Sequence, residues 1–310
     1  LVAITRSAAA VALAALAACG ADASNHATST LSSTGSPTTT IARAAGGTVV
    51  VHDEVVVQDS AQSPPARLAG LTMVRTLRTV IRRPAATAAP PPVVVFAHGF
   101  NAEPEDYDAL LDAWAAAGYL VAAPELPSSA RNLPGEPTRD DVRGQTRDIV
   151  SVITALIDGI AGPIDTDRIA VAGHSDGGTT VADMLFNPLD GDTRIGCYLI
   201  LSGATPDSID DSRRTDRPVL IAVGAHDENG NLPEGQTLFA IANGPRALVE
   251  APDGDHLDMY LDGQLGDATR ALTVDYLSLV FSRPPNTEPT LAALAQDNSS
   301  LLTVKTSSPS

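Results

Sequence analysis

The stretch Arg168-Ile169-Ala170-Val171-Ala172-Gly173-His174-Ser175-Asp176-Gly177-Gly178 decides how the rest of the chain is read. Residues 168–172 form a short apolar run that fits a strand, and residues 177–186 fit a helix. The junction, Gly173-His174-Ser175-Asp176-Gly177, is the one G-x-S-x-G in the sequence. A strand that turns straight into a helix at a serine needs small residues on both sides. Such a turn lifts the hydroxyl clear of the sheet and sets it at a helix N-terminus, whose dipole favours developing negative charge. Ser175 is therefore the expected nucleophile.

Working outward, strands and helices alternate. Residues 48–57 and 71–81 are rich in Val, Thr and Ile and read as early, half-exposed strands. A Pro/Ala segment, 84–92, separates them from Val93-Val94-Val95-Phe96, a continuous apolar run of the kind buried on both faces of a parallel sheet. Helical spacing over 103–117 (Tyr107, Leu110, Leu111, Trp114) ends at Gly118, a C-cap. A strand follows at 119–123. Thr138-Arg139-Asp140-Asp141 approximates a capping box before a helix whose apolar face carries Val142, Ile149, Ile153, Leu156 and Ile157. Strands at 195–201, 219–223 and 246–250, with helices at 234–242 and 267–281, complete the series. The reading is one α/β domain, a doubly wound, mostly parallel sheet with helices on both faces and no large cap domain. Sites in such sheets lie at the carboxyl ends of the strands.

A serine hydroxyl needs a base to take its proton. Of the six histidines, His26 lies in a Ser/Thr-rich tract and His52 in the first strand. His98 and His174 belong to other motifs, and His226 precedes the acid candidate. His256 remains, in the polar loop Asp253-Gly254-Asp255-His256-Leu257. The acid that orients it should follow a strand between the two. Val219-Leu220-Ile221-Ala222-Val223 leads into Gly224-Ala225-His226-Asp227, which points to Asp227, with Glu228 the nearest rival and Asp253 or Asp255 weaker ones. An oxyanion hole needs backbone N–H donors. Asp176, after the nucleophile, supplies one. Phe100, in the loop His98-Gly99-Phe100-Asn101, supplies the second.

The chain has 310 residues, 44% of them hydrophobic, enough for a sizeable core. With 37 acidic and 20 basic residues the net charge is −17, which argues against a nucleic-acid partner because polyanions would be repelled. No metal or cofactor is called for. The partners expected are a small-molecule or lipid ester and a membrane; the oligomeric state is not legible.

Residues 1–18 combine Arg6 with an apolar run at 8–18, too short for a stable span, and read as a secretory signal. Leu16-Ala17-Ala18-Cys19 resembles the bacterial lipobox, which implies a diacylglyceryl group on the Cys19 thiol and an extracytoplasmic, membrane-tethered protein. Residues 19–46 then form a flexible stalk, 47–283 the folded domain, and 284–310 a partly disordered extension with a frayed end at 307–310. Cys197, in an apolar run, is left as a buried core residue without a partner.

Ser175, Asp227 and His256, in that order, with the His98–Asn101 loop, resemble the α/β-hydrolase superfamily. The segments 93–106 and 173–178 resemble the dienelactone-hydrolase-like esterases, a group that includes chlorophyllase-like and platelet-activating-factor-acetylhydrolase-like enzymes and polyester hydrolases. The resemblance runs over about residues 72–281. It implies the fold and the hydrolysis of carboxylic esters through an acyl-enzyme. Serine in place of the cysteine of true dienelactone hydrolases argues against that reaction. His174 and Asp176, without an aromatic and a methionine around the nucleophile, and the lack of a cysteine pair argue against polyesters. The short interval 202–218 leaves no room for a large cap, so short- or medium-chain acyl groups are expected. The alternatives are an envelope lipoprotein that binds lipid or a partner without turnover, and an amidase or peptidase on the same triad.

Overall fold

Residues that alternate in direction along a strand cannot all be apolar unless both sheet faces are covered. In the computed structural model they are covered. The structure describes residues 40–43, 49–187, 192–209, 216–282, 291–295 and 301–308. The segment read as a signal, Cys19 and most of the segment read as a stalk lie outside the described residues.

The strands are β1 (Thr40–Arg43), β2 (Val49–Asp59), β3 (Arg75–Pro84), β4 (Val93–Ala97), β5 (Leu120–Pro124), β6 (Ile169–His174), β7 (Ile195–Leu201), β8 (Val219–Gly224), β9 (Arg246–Ala251) and β10 (Thr303–Ser307). They form a single sheet in the order β1-β2-β3-β5-β4-β6-β7-β8-β9-β10. The centre, β5 to β9, is parallel, while β1, β2 and β3 at one edge and β10 at the other run antiparallel. The helices are α1 (Asp108–Ala116), α2 (Val142–Ile157), α3 (Asp176–Phe186), α4 (Asn231–Ile241) and α5 (Gln264–Phe281). Val94 and Phe96 of β4 pack with Leu110 and Trp114 of α1 and with Tyr276 and Leu277 of α5. Their neighbours Val93 and Val95 face the other way, into a second buried cluster that includes Ile149 and Ile153 of α2, Val181 of α3 and Leu238 of α4. Helices thus cover both faces, and the reading as a doubly wound α/β domain holds. Cys197 is fully buried, as its apolar run implies.

Five expectations need correction. The second early strand starts at Arg75, not Leu71. Leu71 and Met73, 66% and 89% exposed, lie in the preceding loop. The helix expected over 103–117 opens as a 3-10 turn, Pro104–Tyr107, because Glu103 and Asp106 make a capping box there. No capping box forms at 138–141: Asp141 gives α2 no side-chain cap and instead pairs its carboxylate with Arg75 at 2.8 Å. The segment expected to be a stalk contributes β1, paired with β2, so it reaches the sheet before residue 47. Within the extension 284–310, the described residues 291–295 and 301–308 pack onto the domain. Leu291, Leu294 and Leu302 are buried in the α5-side core, and Ser307, expected to be frayed, pairs with Arg246.

One buried ion pair fixes α2 to the sheet. Arg75, at the start of β3, places Nε 2.6 Å and Nη2 2.7 Å from the two oxygens of Asp148. Both side chains are essentially inaccessible, so the bidentate fork has no water to compete with it.

Candidate active site

Steric necessity at the end of β6 sets the conformation of Ser175, the expected nucleophile. Ser175 sits at φ 56°, ψ −117°, outside the regions an L-residue prefers, with its amide held by the Leu201 carbonyl at 2.9 Å. A Cβ on Gly177 would lie 2.2 Å from the Ala97 carbonyl oxygen, and one on Gly173 2.3 Å from that of Gly177. Only glycine fits at either place, which is the physical content of G-x-S-x-G. Asn101 and Ser202 also take positive φ, so the described non-glycine residues with that strain gather at the carboxyl end of the sheet.

His256, on the loop after β9, brings Nε2 to 2.9 Å from Ser175 Oγ and Nδ1 to 2.8 Å from Asp227 Oδ2. Asp227 follows β8. Burial pushes its carboxyl upward, yet hydrogen bonds from His256, the Asn229 amide and the Asn231 side chain outweigh this and hold its pKa below the ordinary aspartate value. An ionised carboxylate only accepts, so Nδ1 carries the proton and the Nε2 lone pair faces the serine hydroxyl. Asp227 and His256 are 8% and 7% exposed, dry enough to strengthen the line of charge-assisted bonds. The rival acids do other things. Glu228 and Asp253 are exposed, and Asp255 accepts the Leu257 and Asp258 amides at 2.8 Å, shaping the loop that carries His256.

The other described histidines are engaged elsewhere or exposed. His52 meets Asp112 at 2.8 Å, and His226 is exposed. His98 is buried, accepting the Leu126 amide on Nε2 and donating from Nδ1 to the Gly99 carbonyl; burial lowers its pKa to about 4. His174 lies beneath His256, ring centroids 4.8 Å apart, and burial together with His256 lowers its pKa to about 3. Its tautomer follows from its partners. The His256 carbonyl can only accept, so His174 Nε2 donates to it at 2.9 Å; Nδ1 then accepts from Tyr107 Oη at 2.7 Å, and Tyr107 Oη accepts the Gly99 amide at 3.2 Å. A hydrogen-bonded chain thus runs from the loop beside the serine to the backbone of the base.

The loop expected to supply the second donor passes Ser175: a Cβ on Gly99 would be 3.3 Å from Ser175 Cβ. Phe100 follows it into the cleft, with the Arg139 guanidinium 4.4 Å above its ring. Asp176 opens α3, and burial raises its carboxyl pKa against the pull of a hydrogen bond from Gln145. Two cavities meet at Ser175. One, about 440 Å³, is walled by Phe100, Tyr107, His256, Leu257 and Leu261. The other, about 510 Å³, is polar, with Arg139, Arg143, Asp176, Thr179 and Asn229 among its walls. Among the described residues no group of three or more His, Cys, Asp and Glu side chains is placed to hold a metal ion.

The structure brings Ser175, Asp227 and His256 together, with Phe100 and Asp176 beside them. The sequence did not point to every neighbour. It missed Asn231, Tyr107 as a polar group, and Gln145. Gln145 alone left a signal: it sits four residues before Ile149, a polar side chain on the apolar stripe of α2.

Residues 69–196 match the chlorophyllase family, a segment that holds Phe100, Ser175 and Asp176 and stops before Asp227 and His256. None of the curated proteins matches the chain. Among solved structures, the ferulic acid esterase of Streptomyces cinnamoneus superposes with a TM-score of 0.62 at 19% identity, over 82% of this chain and 94% of that one. A dienelactone hydrolase of Klebsiella pneumoniae subsp. pneumoniae MGH 78578 superposes with a TM-score of 0.54 at 15% identity, over 73% of this chain and 98% of that one. The chain therefore has the α/β-hydrolase fold, and over residues 69–196 it is similar to the chlorophyllase family.

Proposed function

We propose that the chain is a serine carboxylic-ester hydrolase acting on short- or medium-chain acyl esters. The observation that carries this reading is the unbroken line from Ser175 Oγ through His256 to Asp227, with contacts of 2.9 and 2.8 Å. In this reading Ser175 attacks the ester carbonyl while His256 Nε2 takes its proton. The Phe100 and Asp176 N–H groups hold the oxyanion, and the imidazolium, stabilised by Asp227, returns the proton to the leaving alcohol. Water then repeats the sequence on the acyl-enzyme, with His256 again as base. The likeness to an esterase supports the ester bond, and the two open cavities at Ser175 support substrates of modest size.

Ser175→Ala should abolish hydrolysis of p-nitrophenyl butyrate, and a fluorophosphonate should label the wild type at Ser175 alone. Retained turnover in the variant would sink the mechanism. An unlabelled wild type would favour the binding-protein reading, because only an activated serine reacts. The lipid anchor belongs to the same proposal: Cys19 should incorporate radiolabelled palmitate in a bacterial host, and Cys19→Ala should release the protein from membranes.

A further inference from the structure

We propose that Gln145 is a positioning residue that holds the two halves of the oxyanion hole in register. The inference rests on the serine-esterase reading above.

Gln145 is wholly buried in the first turn of α2, where an unpaired amide would be costly. Its Nε2 lies 3.1 Å from Asp176 Oδ2, 3.0 Å from Ser129 Oγ and 3.1 Å from Ser128 Oγ, and its Oε1 accepts from Thr180 Oγ1 at 2.5 Å. The amide has two hydrogens for three acceptors. One must point at Asp176, whose carboxylate in its ionised form only accepts, and the two serines share the other. That requirement also decides which end of the amide is nitrogen.

These contacts matter because of what lies behind each of them. Asp176 is the residue whose N–H is one oxyanion donor. Ser129, through its carbonyl, accepts the amide of Asn101 at 2.8 Å, and Asn101 is the residue after Phe100, the other donor. A single side chain therefore connects the start of α3 to the loop after β4, two segments far apart in sequence. The connection has a rigid base. Asp148, three residues further along α2, is the carboxylate in the Arg75 fork, so the turn carrying Gln145 cannot drift from the sheet. Donors aimed at an oxyanion act only if their separation is set before the charge appears. Gln145 sets it without touching substrate.

The test uses Gln145→Leu, Gln145→Glu and, as a control, Val152→Ala, which also disturbs the buried face of α2. Each is assayed on p-nitrophenyl butyrate beside the wild type. Gln145→Leu should lower kcat about tenfold to a hundredfold with KM within twofold, and weaken a trifluoromethyl ketone inhibitor by the same factor. Val152→Ala should lower the melting temperature and leave kcat within twofold. Gln145→Glu places a second carboxyl against Asp176. Its kcat relative to wild type should rise as pH falls, once the pair shares a proton, which a purely structural defect would not produce. If Gln145→Leu does not fold, this pH-dependent ratio decides alone: a flat ratio overturns the proposal. So does a Gln145→Leu variant whose kcat changes less than threefold, or whose losses in kcat and melting temperature match those of Val152→Ala. A wild type inert to fluorophosphonate would overturn the esterase reading and this proposal together. An active wild type with an indifferent Gln145 overturns this proposal only.

Discussion

Two imidazoles lie one above the other at the carboxyl end of the sheet, and the regions that hold them treat the same ring in opposite ways. His174 ends β6, in a floor of buried side chains where both nitrogens are committed, one to the Tyr107 hydroxyl and one to the His256 carbonyl. His256 rides on a loop at the cavity wall, with one nitrogen committed to Asp227 and the other facing the serine. Residue type alone does not assign the base. A ring nitrogen does base chemistry only where its surroundings leave the lone pair aimed at a removable proton. The floor histidine gives up that freedom and in return fixes the backbone of the wall histidine.

The contrast is open to direct attack. His256→Ala should reduce turnover of p-nitrophenyl butyrate by about 10⁵-fold or more, since removing the base disables the triad as a unit. Asp227→Asn should cost about 10⁴-fold with the fold intact, because the amide favours the wrong tautomer of His256. Steady-state rates and circular dichroism check both. His174→Asn should cost only about tenfold, through slackening of the Gly99–Tyr107–His174–His256 chain. A loss as deep as that of His256→Ala would break the comparison.

The smallest effect is on stability against acid. His174 and His98 have native pKa values lowered to about 3 and about 4 by burial, whereas an unfolded histidine titrates near 6.5. Above pH 6.5 neither state binds the proton and these residues add no pH dependence. Below it the unfolded chain takes up protons that the native one refuses. Stability therefore falls as pH falls, by about 1.4 kcal/mol per unit for each histidine, down to roughly the native values. Urea unfolding of the wild type at pH 7, 6 and 5 should show this slope. His174→Asn should reduce it by one proton's share, and an unchanged slope would mean that His174 titrates in the native state.

What was legible in the sequence was whatever local sterics or long apolar runs dictate. The elbow could be read because Gly173 and Gly177 are forced by contacts with backbone atoms next to it in space. The central strands could be read because runs such as Val93–Ala97 suit only a doubly covered sheet. His256 and Asp227 followed from chain order along that sheet. The supporting contacts were not legible, since each depends on a partner set by the finished fold. Gln145 meets Ser128 behind it and Asp176 ahead of it, and the Tyr107 hydroxyl meets His174, 67 residues away. Tyr107 was read as one more apolar position on a helix face, which its ring satisfies and its hydroxyl does not reveal. β10 escaped for a different reason. Its alternation of Thr303, Val304 and Lys305 is the mark of an edge strand half in solvent, and as a five-residue piece it resembles loop.

That short terminal strand has a practical consequence. A protein trimmed after Phe281 would keep α1 to α5 and Ser175, Asp227 and His256, yet the bonding groups of β9 that now face residues 303–307 would be bare. An uncovered strand rim recruits other chains. Such a shortened form should elute as soluble oligomers or collect in inclusion bodies more than the version carrying residues 291–308, so an expression design that stops where α5 ends would discard the strand that covers β9.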